Sequence, residues 1–138
     1  MKLNEIDYQL INEATQVLES NLDLYEDKNT IVGCALLSKS GKIYKGVNIC
    51  TSHSVCAEQV ALGQAMACGE RELDTIVAVK LDADGKPRVV SPCGLCRYIM
   101  DKLELDIKVV VEDIDNDRIL KVRANTLLPY PYKRDSED

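Results

Sequence analysis

Phenylalanine and tryptophan are absent from the 138 residues, and six tyrosines are the whole aromatic supply. That is too little for the stacking platform with which proteins grip single-stranded nucleic acid. No run of Lys or Arg offers a phosphate-binding stripe, and the net charge is -6, which argues against nucleic acid as a partner. No uninterrupted apolar stretch approaches the roughly 18 residues of a membrane span, which argues against a membrane partner. The first ten residues carry Lys2, Glu5 and Asp7 and lack the apolar centre of an export signal, so the cytoplasm is the expected compartment. Internal repeats, low-complexity segments and a linker to a second domain are missing as well.

What is present is the balance of a soluble globular protein, 46% hydrophobic and 29% charged. A chain of this size can bury roughly two-thirds of its extended surface around one core. One domain is expected over residues 1–132, followed by a charged tail at 133–138. Residues 4–19 read as an amphipathic helix with Asn4 as N-cap, because Ile6, Leu10, Ala14, Val17 and Leu18 recur near the helical period. Residues 21–29 are polar and read as a loop. Residues 31–38 and 43–49, around the turn at 39–42, read as a hairpin with Ile43, Val47 and Ile49 on one face. Residues 57–68 form a helix apolar nearly all round, ending at Gly69, and 75–81 a strand of the type buried on both faces. Val89 and Val90 either end a strand or lead into the next motif. Residues 94–103 are a helix, 107–111 and 119–122 are strands, and 113–117 is the turn between them. Strands alternating with helices point to an α/β domain of three layers with a mixed sheet.

Six cysteines in a secreted mini-protein would read as a disulfide framework, but a chain of this size in a reducing compartment reads them as metal or catalysis. Cys93 and Cys96 are three apart across a first helical turn, so both sulfurs can face one point, and Cys56 at another helix start is the natural third ligand. Three protein ligands with a fourth position left open is the arrangement of a catalytic zinc site. Three thiolates against Zn²⁺ leave a net charge of about -1, which two helix N-termini partly offset. Glu58 lies two residues after Cys56. From a helix start it can reach the open position without being a ligand and move a proton there.

Cys56-Ala57-Glu58 with Ser91-Pro92-Cys93-Gly94-Leu95-Cys96-Arg97 resembles the cytidine deaminase family of zinc-dependent base deaminases, in its three-cysteine form. Val32-Gly33-Cys34-Ala35-Leu36, the stretch from Gly41 to Asn48 and Thr126-Leu127-Leu128-Pro129 extend the likeness over roughly residues 4–132. The resemblance implies a three-layer α/β/α sandwich with a mixed five-stranded sheet, one zinc per chain on Cys56, Cys93 and Cys96, and Glu58 as the catalytic proton shuttle. It implies that the Ala57 N–H meets the carbonyl of the base, the Ser91 carbonyl the departing amino group and Asn48 a sugar hydroxyl. It also implies a homotetramer with active sites completed across subunits. The reaction expected is hydrolytic: a cytosine nucleoside or an analogue such as blasticidin S goes to its uracil form with release of ammonia.

Three positions depart from the cytidine deaminase pattern. Cys50 stands where a sugar-binding Glu is expected, Gln59 where an Arg commonly eases the thiolate charge, and an aromatic-rich segment ahead of the first strand is missing. These features, the compact N-terminal half and the tyrosine after Leu-Leu-Pro, Tyr132, resemble the branch containing the blasticidin S deaminases, and Tyr132 is accordingly a candidate substrate contact. Two other functions fit parts of the pattern: a non-catalytic zinc module for protein interaction, which has no need of Glu58, and a nucleic-acid cytosine deaminase, which the charge argues against. Arg97 is either a surface residue or a further donor to the thiolates, His53 a loop residue, and Cys34, Cys50 and Cys68 are expected as small buried hydrophobes.

Overall fold

The computed structural model describes residues 1–103 and 105–133. Its elements in chain order are α1 (Glu5–Ser20), β1 (Val32–Ser38), β2 (Ile43–Val47), α2 (Ala57–Ala67), β3 (Leu73–Leu81), β4 (Pro87–Val90), α3 (Gly94–Lys102), β5 (Lys108–Asp113) and β6 (Arg118–Arg123). The expected charged tail at 133–138 lies outside the described residues except for Lys133. Among the described residues no helix is long and apolar enough to cross a membrane.

Five strands run in the order β2-β1-β3-β5-β6, and the sixth, β4, pairs with β3 beside that path. The sheet is mixed. β3 and β5 are parallel, with Thr75 opposite Lys108 and Ile76 opposite Val109, and every other pairing is antiparallel. β3 is nine residues long, enough to pair with β5 through its first half and with β4 through Ala78–Leu81. Val89 and Val90 therefore belong to a short strand that ends one residue before Ser91.

Alternation along the strands supplies the two inner faces. Cys34 and Leu36 of β1, Ile76 of β3, and Val109 and Val111 of β5 pack under α2 and α3, with Ala57, Ala61, Leu62, Ala65, Cys96 and Met100. Ala35, Val77, Val79 and Val110 point the other way and meet Leu10, Ala14 and Leu18 of α1. The result is helix, sheet, helix pair, because residues i and i+2 of a strand share a face. Asn4 caps α1 in a reciprocal box: its Oδ1 accepts from the Asp7 N–H at 3.1 Å, while the Asp7 carboxylate accepts from the Asn4 N–H at 2.9 Å. The other Asp7 contact is an ion pair to Lys121 Nζ at 2.8 Å, with both side chains buried.

β2 differs from its expected pattern. It ends at Val47, and Ile49 is half exposed, held only by an isolated bridge to Val55. Tyr44 and Gly46 are its buried positions. The reason is the close approach of α2. A Cβ on Gly46 would fall onto the Ala57 carbonyl oxygen and lie 2.7 Å from Ala61 N, so only glycine lets the helix rest directly on the strand. Gly33 does the same for α1, where a Cβ would fall onto the Ala14 carbonyl oxygen.

Candidate active site

Two turns deliver three sulfurs to one point. The chain leaves β2, makes the exposed turn at Thr51–Ser54 and enters α2 with Cys56 as its N-cap. It leaves β4, passes Ser91 and Pro92 and enters α3 with Cys93 as N-cap, where the Cys93 sulfur accepts from the Cys96 N–H at 3.5 Å. Cys56 Sγ lies 3.5 Å from Cys93 Sγ, Cys93 Sγ lies 3.5 Å from Cys96 Sγ, and all three atoms fall within 4.8 Å of one another. Tetrahedral zinc with sulfur at about 2.3 Å sets its ligands about 3.8 Å apart, so the triangle fits one zinc with small adjustment. Among the described residues no fourth ligating atom joins the group, so the site can stay open on one side. Cys96 is buried, Cys56 half-buried and Cys93 exposed, so the sulfur group lies at the edge of the core with Cys93 at the surface.

The thiols differ according to surroundings. Burial pushes the Cys96 thiol far above its ordinary value, and the nearby Glu58 carboxylate and Cys93 add to this. Burial also raises Cys56. At Cys93 burial works in the same direction but is outweighed, chiefly by the Cys96 backbone N–H, and the thiol is held below its ordinary value. Binding a divalent cation requires deprotonation of all three, which couples the site's affinity to pH.

Glu58, in the first turn of α2, is 7% exposed. Burial raises its carboxyl above the usual range, as expected for a group facing Ile76, Ala78, Val90 and Pro92. A carboxyl shifted upward is better matched to proton transfer near neutral pH. Ala57, beside it, is buried as the first residue of α2, where a backbone N–H has no partner within the helix.

The remaining candidates are placed as follows. Ser91 is half-buried, and its hydroxyl bridges to β5, accepting from the Glu112 N–H at 3.2 Å and donating to the Glu112 carbonyl at 3.4 Å. Asn48 is buried and heavily engaged. Its Oδ1 accepts from the Val32 N–H at 2.8 Å, and its Nδ2 donates to the Thr30 carbonyl at 2.7 Å and faces Cys50 Sγ at 3.7 Å. Tyr132 is 73% exposed. His53 sits in the exposed turn and stays outside the sulfur group. Of the three cysteines expected as buried hydrophobes, only Cys34 is one. Cys50 and Cys68 are exposed, because Cys50 lies beyond the end of β2 and Cys68 caps the end of α2.

Sequence reasoning missed three contacts. Gln59 Nε2 points at Cys96 Sγ from 3.7 Å, an amide dipole on a sulfur. The Tyr25 hydroxyl donates to the Asn48 carbonyl, pinning the 21–30 loop to the end of β2. Arg97 is neither a plain surface residue nor a donor to the sulfurs; its guanidinium binds the carbonyls of Pro92 and Leu127. Only Gln59 had a signal in the sequence, its place immediately after Glu58. A roomier groove of 580 Å³ at the end of α3 is lined by Asp101, Lys102, Asp106 and Arg123. Its mixed charges and its distance from the sulfur-bearing turns set it apart from this chemistry.

The family model for the cytidine and deoxycytidylate deaminase zinc-binding region matches residues 5–112. The chain is 35% identical over 139 residues to the blasticidin-S deaminase of Bacillus cereus, spanning 96% of each protein. It is 38% identical over 124 residues to the cytidine deaminase of Halalkalibacterium halodurans, spanning 87% of this chain and 89% of that one. The crystal structure of cytidine deaminase from Burkholderia pseudomallei superposes with a TM-score of 0.72 at 28% identity, covering 94% of this chain and 100% of that chain.

Proposed function

The chain belongs to the cytidine and deoxycytidylate deaminase family of hydrolytic deaminases, and from that premise we propose that its substrate is a free cytosine nucleoside or a nucleoside analogue such as blasticidin S. The observation that carries the reading is the sulfur triangle with a buried carboxyl beside it: Cys56, Cys93 and Cys96 at two helix starts, and Glu58 one turn-position inside α2. Similarity to a blasticidin-S deaminase over 96% of both chains, together with Cys50 in place of a sugar-binding carboxylate, favours the analogue over cytidine itself.

In this reading Cys56, Cys93 and Cys96 hold zinc. When bound, the metal supplies a Lewis acid that lowers the pKa of water at its open position. Glu58 takes a proton from the attacking water as its oxygen adds to C4 of the base, and passes that proton to N3. Glu58 then takes the proton of the new C4 hydroxyl and passes it to the amino group, the C4–N bond breaks, the C4 carbonyl forms and ammonia leaves. Burial of Glu58 suits both halves of this exchange, since a carboxylate whose pKa is raised is a stronger base toward water and, once protonated, holds the proton near neutral pH until it is passed on. The Ala57 N–H orients the carbonyl of the base, and the Ser91 carbonyl receives hydrogen bonds from the departing amine. Asn48 reaches the sugar, or its counterpart in an analogue, with the Nδ2 that it otherwise turns to Cys50. Tyr132 contributes a substrate contact, and a homotetramer completes each site. Tyr130 is fully exposed, and Tyr132 and, at the entrance to α3, Leu95 are 73% and 55% exposed, apolar surface that a subunit contact would cover.

The test is ammonia release by purified protein on cytidine, deoxycytidine, a damaged cytosine nucleoside and blasticidin S, with zinc measured in the same preparation. The expected result is one zinc per chain and the highest kcat/KM on blasticidin S. Inactivity on all four compounds at full zinc content refutes the reading.

A further inference from the structure

We propose that Arg97 is a positioning residue that clamps the Ser91–Cys93 turn to the C-terminal segment, and so sets where the Cys93 sulfur and the Ser91 carbonyl lie. Only the activity arm of its test rests on the deaminase reading. The turn joins β4 to α3, and its middle residue is Pro92, which has no N–H to anchor it. It is held on one side by the Ser91 hydroxyl bonds to Glu112. On the other side Arg97 folds back along the start of its own helix, and its Nε donates to the Pro92 carbonyl at 2.8 Å. The same guanidinium reaches the Leu127 carbonyl at 3.4 Å.

Leu127 ends the short 3₁₀ turn Ala124–Leu127. From there the chain runs directly to Tyr130, whose φ of +52° is unusual for a bulky side chain and whose ring is fully exposed. The planar fork of Arg serves two carbonyl acceptors at once, which a lysine ammonium cannot reproduce in the same geometry. Ser91 C=O and Cys93 Sγ flank the Pro92–Cys93 peptide on either side. A change in the tilt of that peptide therefore moves both groups together, and displacement of the C-terminal segment reaches the sulfur triangle through one side chain.

The test compares Arg97→Ala and Arg97→Lys with the parent. Zinc affinity is read by competition with a chromogenic chelator at fixed pH, kcat and KM are measured on the best substrate, and all are repeated in millimolar guanidinium with equal sodium chloride as control. Positioning predicts zinc held about tenfold or more weaker in Arg97→Ala, with a fall in kcat exceeding any change in KM. Arg97→Lys should lie between the two, and guanidinium should restore part of both losses. A loss of thermal stability with zinc affinity and kcat within twofold of the parent, or losses that guanidinium leaves untouched, overturns the proposal. If Arg97→Ala does not fold, Arg97→Lys decides by the same criteria. If the parent releases no ammonia from any cytosine compound, the deaminase reading fails while the zinc arm still judges Arg97.

Discussion

Replacing Gly46 by Ala adds one methyl group on β2 beneath the first turn of α2. That Cβ would fall onto the Ala57 carbonyl oxygen and lie 2.7 Å from Ala61 N, against the 3.4–4 Å of ordinary van der Waals contact. Both clashing atoms are helix backbone, so no side chain can swing aside. The start of α2 has to retreat by about 0.7 Å or more to restore contact at Ala61 N alone, and further to clear Ala57. Cys56 and Glu58 ride on that turn, whereas Cys93 and Cys96 belong to α3 and stay behind. The 3.5 Å separation of Cys56 and Cys93 must therefore widen. Overpacking of this kind costs about 1–3 kcal/mol. A misplacement of about 1 Å at a reacting group can cost about 10²-fold in rate. The control is Gly63→Ala on the same helix, where the added methyl meets nothing within 4 Å. A helical Gly→Ala change in open space stabilises by up to about 1 kcal/mol. Urea unfolding, zinc content and kcat/KM of the three proteins form the assay. Gly46→Ala is expected to be destabilised, zinc-poor and weakly active, and Gly63→Ala to be at least as stable as the parent. Gly46→Ala within 0.5 kcal/mol and twofold in kcat/KM of the parent would refute the claim that close packing of β2 on α2 sets the sulfur triangle.

Glu58→Gln should keep zinc and the urea midpoint of the parent while losing about 10²–10⁴-fold in kcat, since the amide is nearly isosteric but cannot accept the proton of water; metal analysis beside turnover checks it. Lys121→Met should cost about 3–5 kcal/mol in urea unfolding, because it strands the fully buried Asp7 carboxylate without its cation. Adding Asp7→Asn to Lys121→Met should recover more than half of that loss, and a single variant within 1 kcal/mol of the parent would contradict the assignment of a buried ion pair. Cys50→Glu should raise kcat/KM on cytidine by about one to two decades and on 3′-deoxycytidine by less, because a carboxylate accepts a hydroxyl hydrogen bond that a thiol accepts weakly; equal gains on both compounds would remove the sugar from the role of this position.

Two parts of the sulfur cluster were legible in the chain because each is local. Cys93 and Cys96 are three apart across one helical turn and Glu58 two beyond Cys56, so each candidate group can be read from spacing alone, while the meeting of Cys56 with Cys93 was decided by how α2 and α3 pack. The alternation of Cys34, Ala35 and Leu36 likewise fixes two opposed faces, because a strand has period two whatever lies above it. Tertiary structure decided what depends on contacts distant in sequence. Periodicity assigned the inner face of β2 to Ile43, Val47 and Ile49, but with α2 resting on Gly46 the buried places fall to Tyr44 and Gly46. β4 exists as a strand only because β3 is long enough to pair with it beyond β5. Asn48 was expected from the resemblance to meet a sugar hydroxyl, and only the fold shows Thr30, Val32 and Cys50 coming from two chain segments to engage its amide. The charge on Arg97 suggested the thiolates that follow from its place beside Cys96. The carbonyls it binds are those of Pro92 and of Leu127, thirty residues away, because a hydrogen bond is set by where backbone oxygens come to rest after folding.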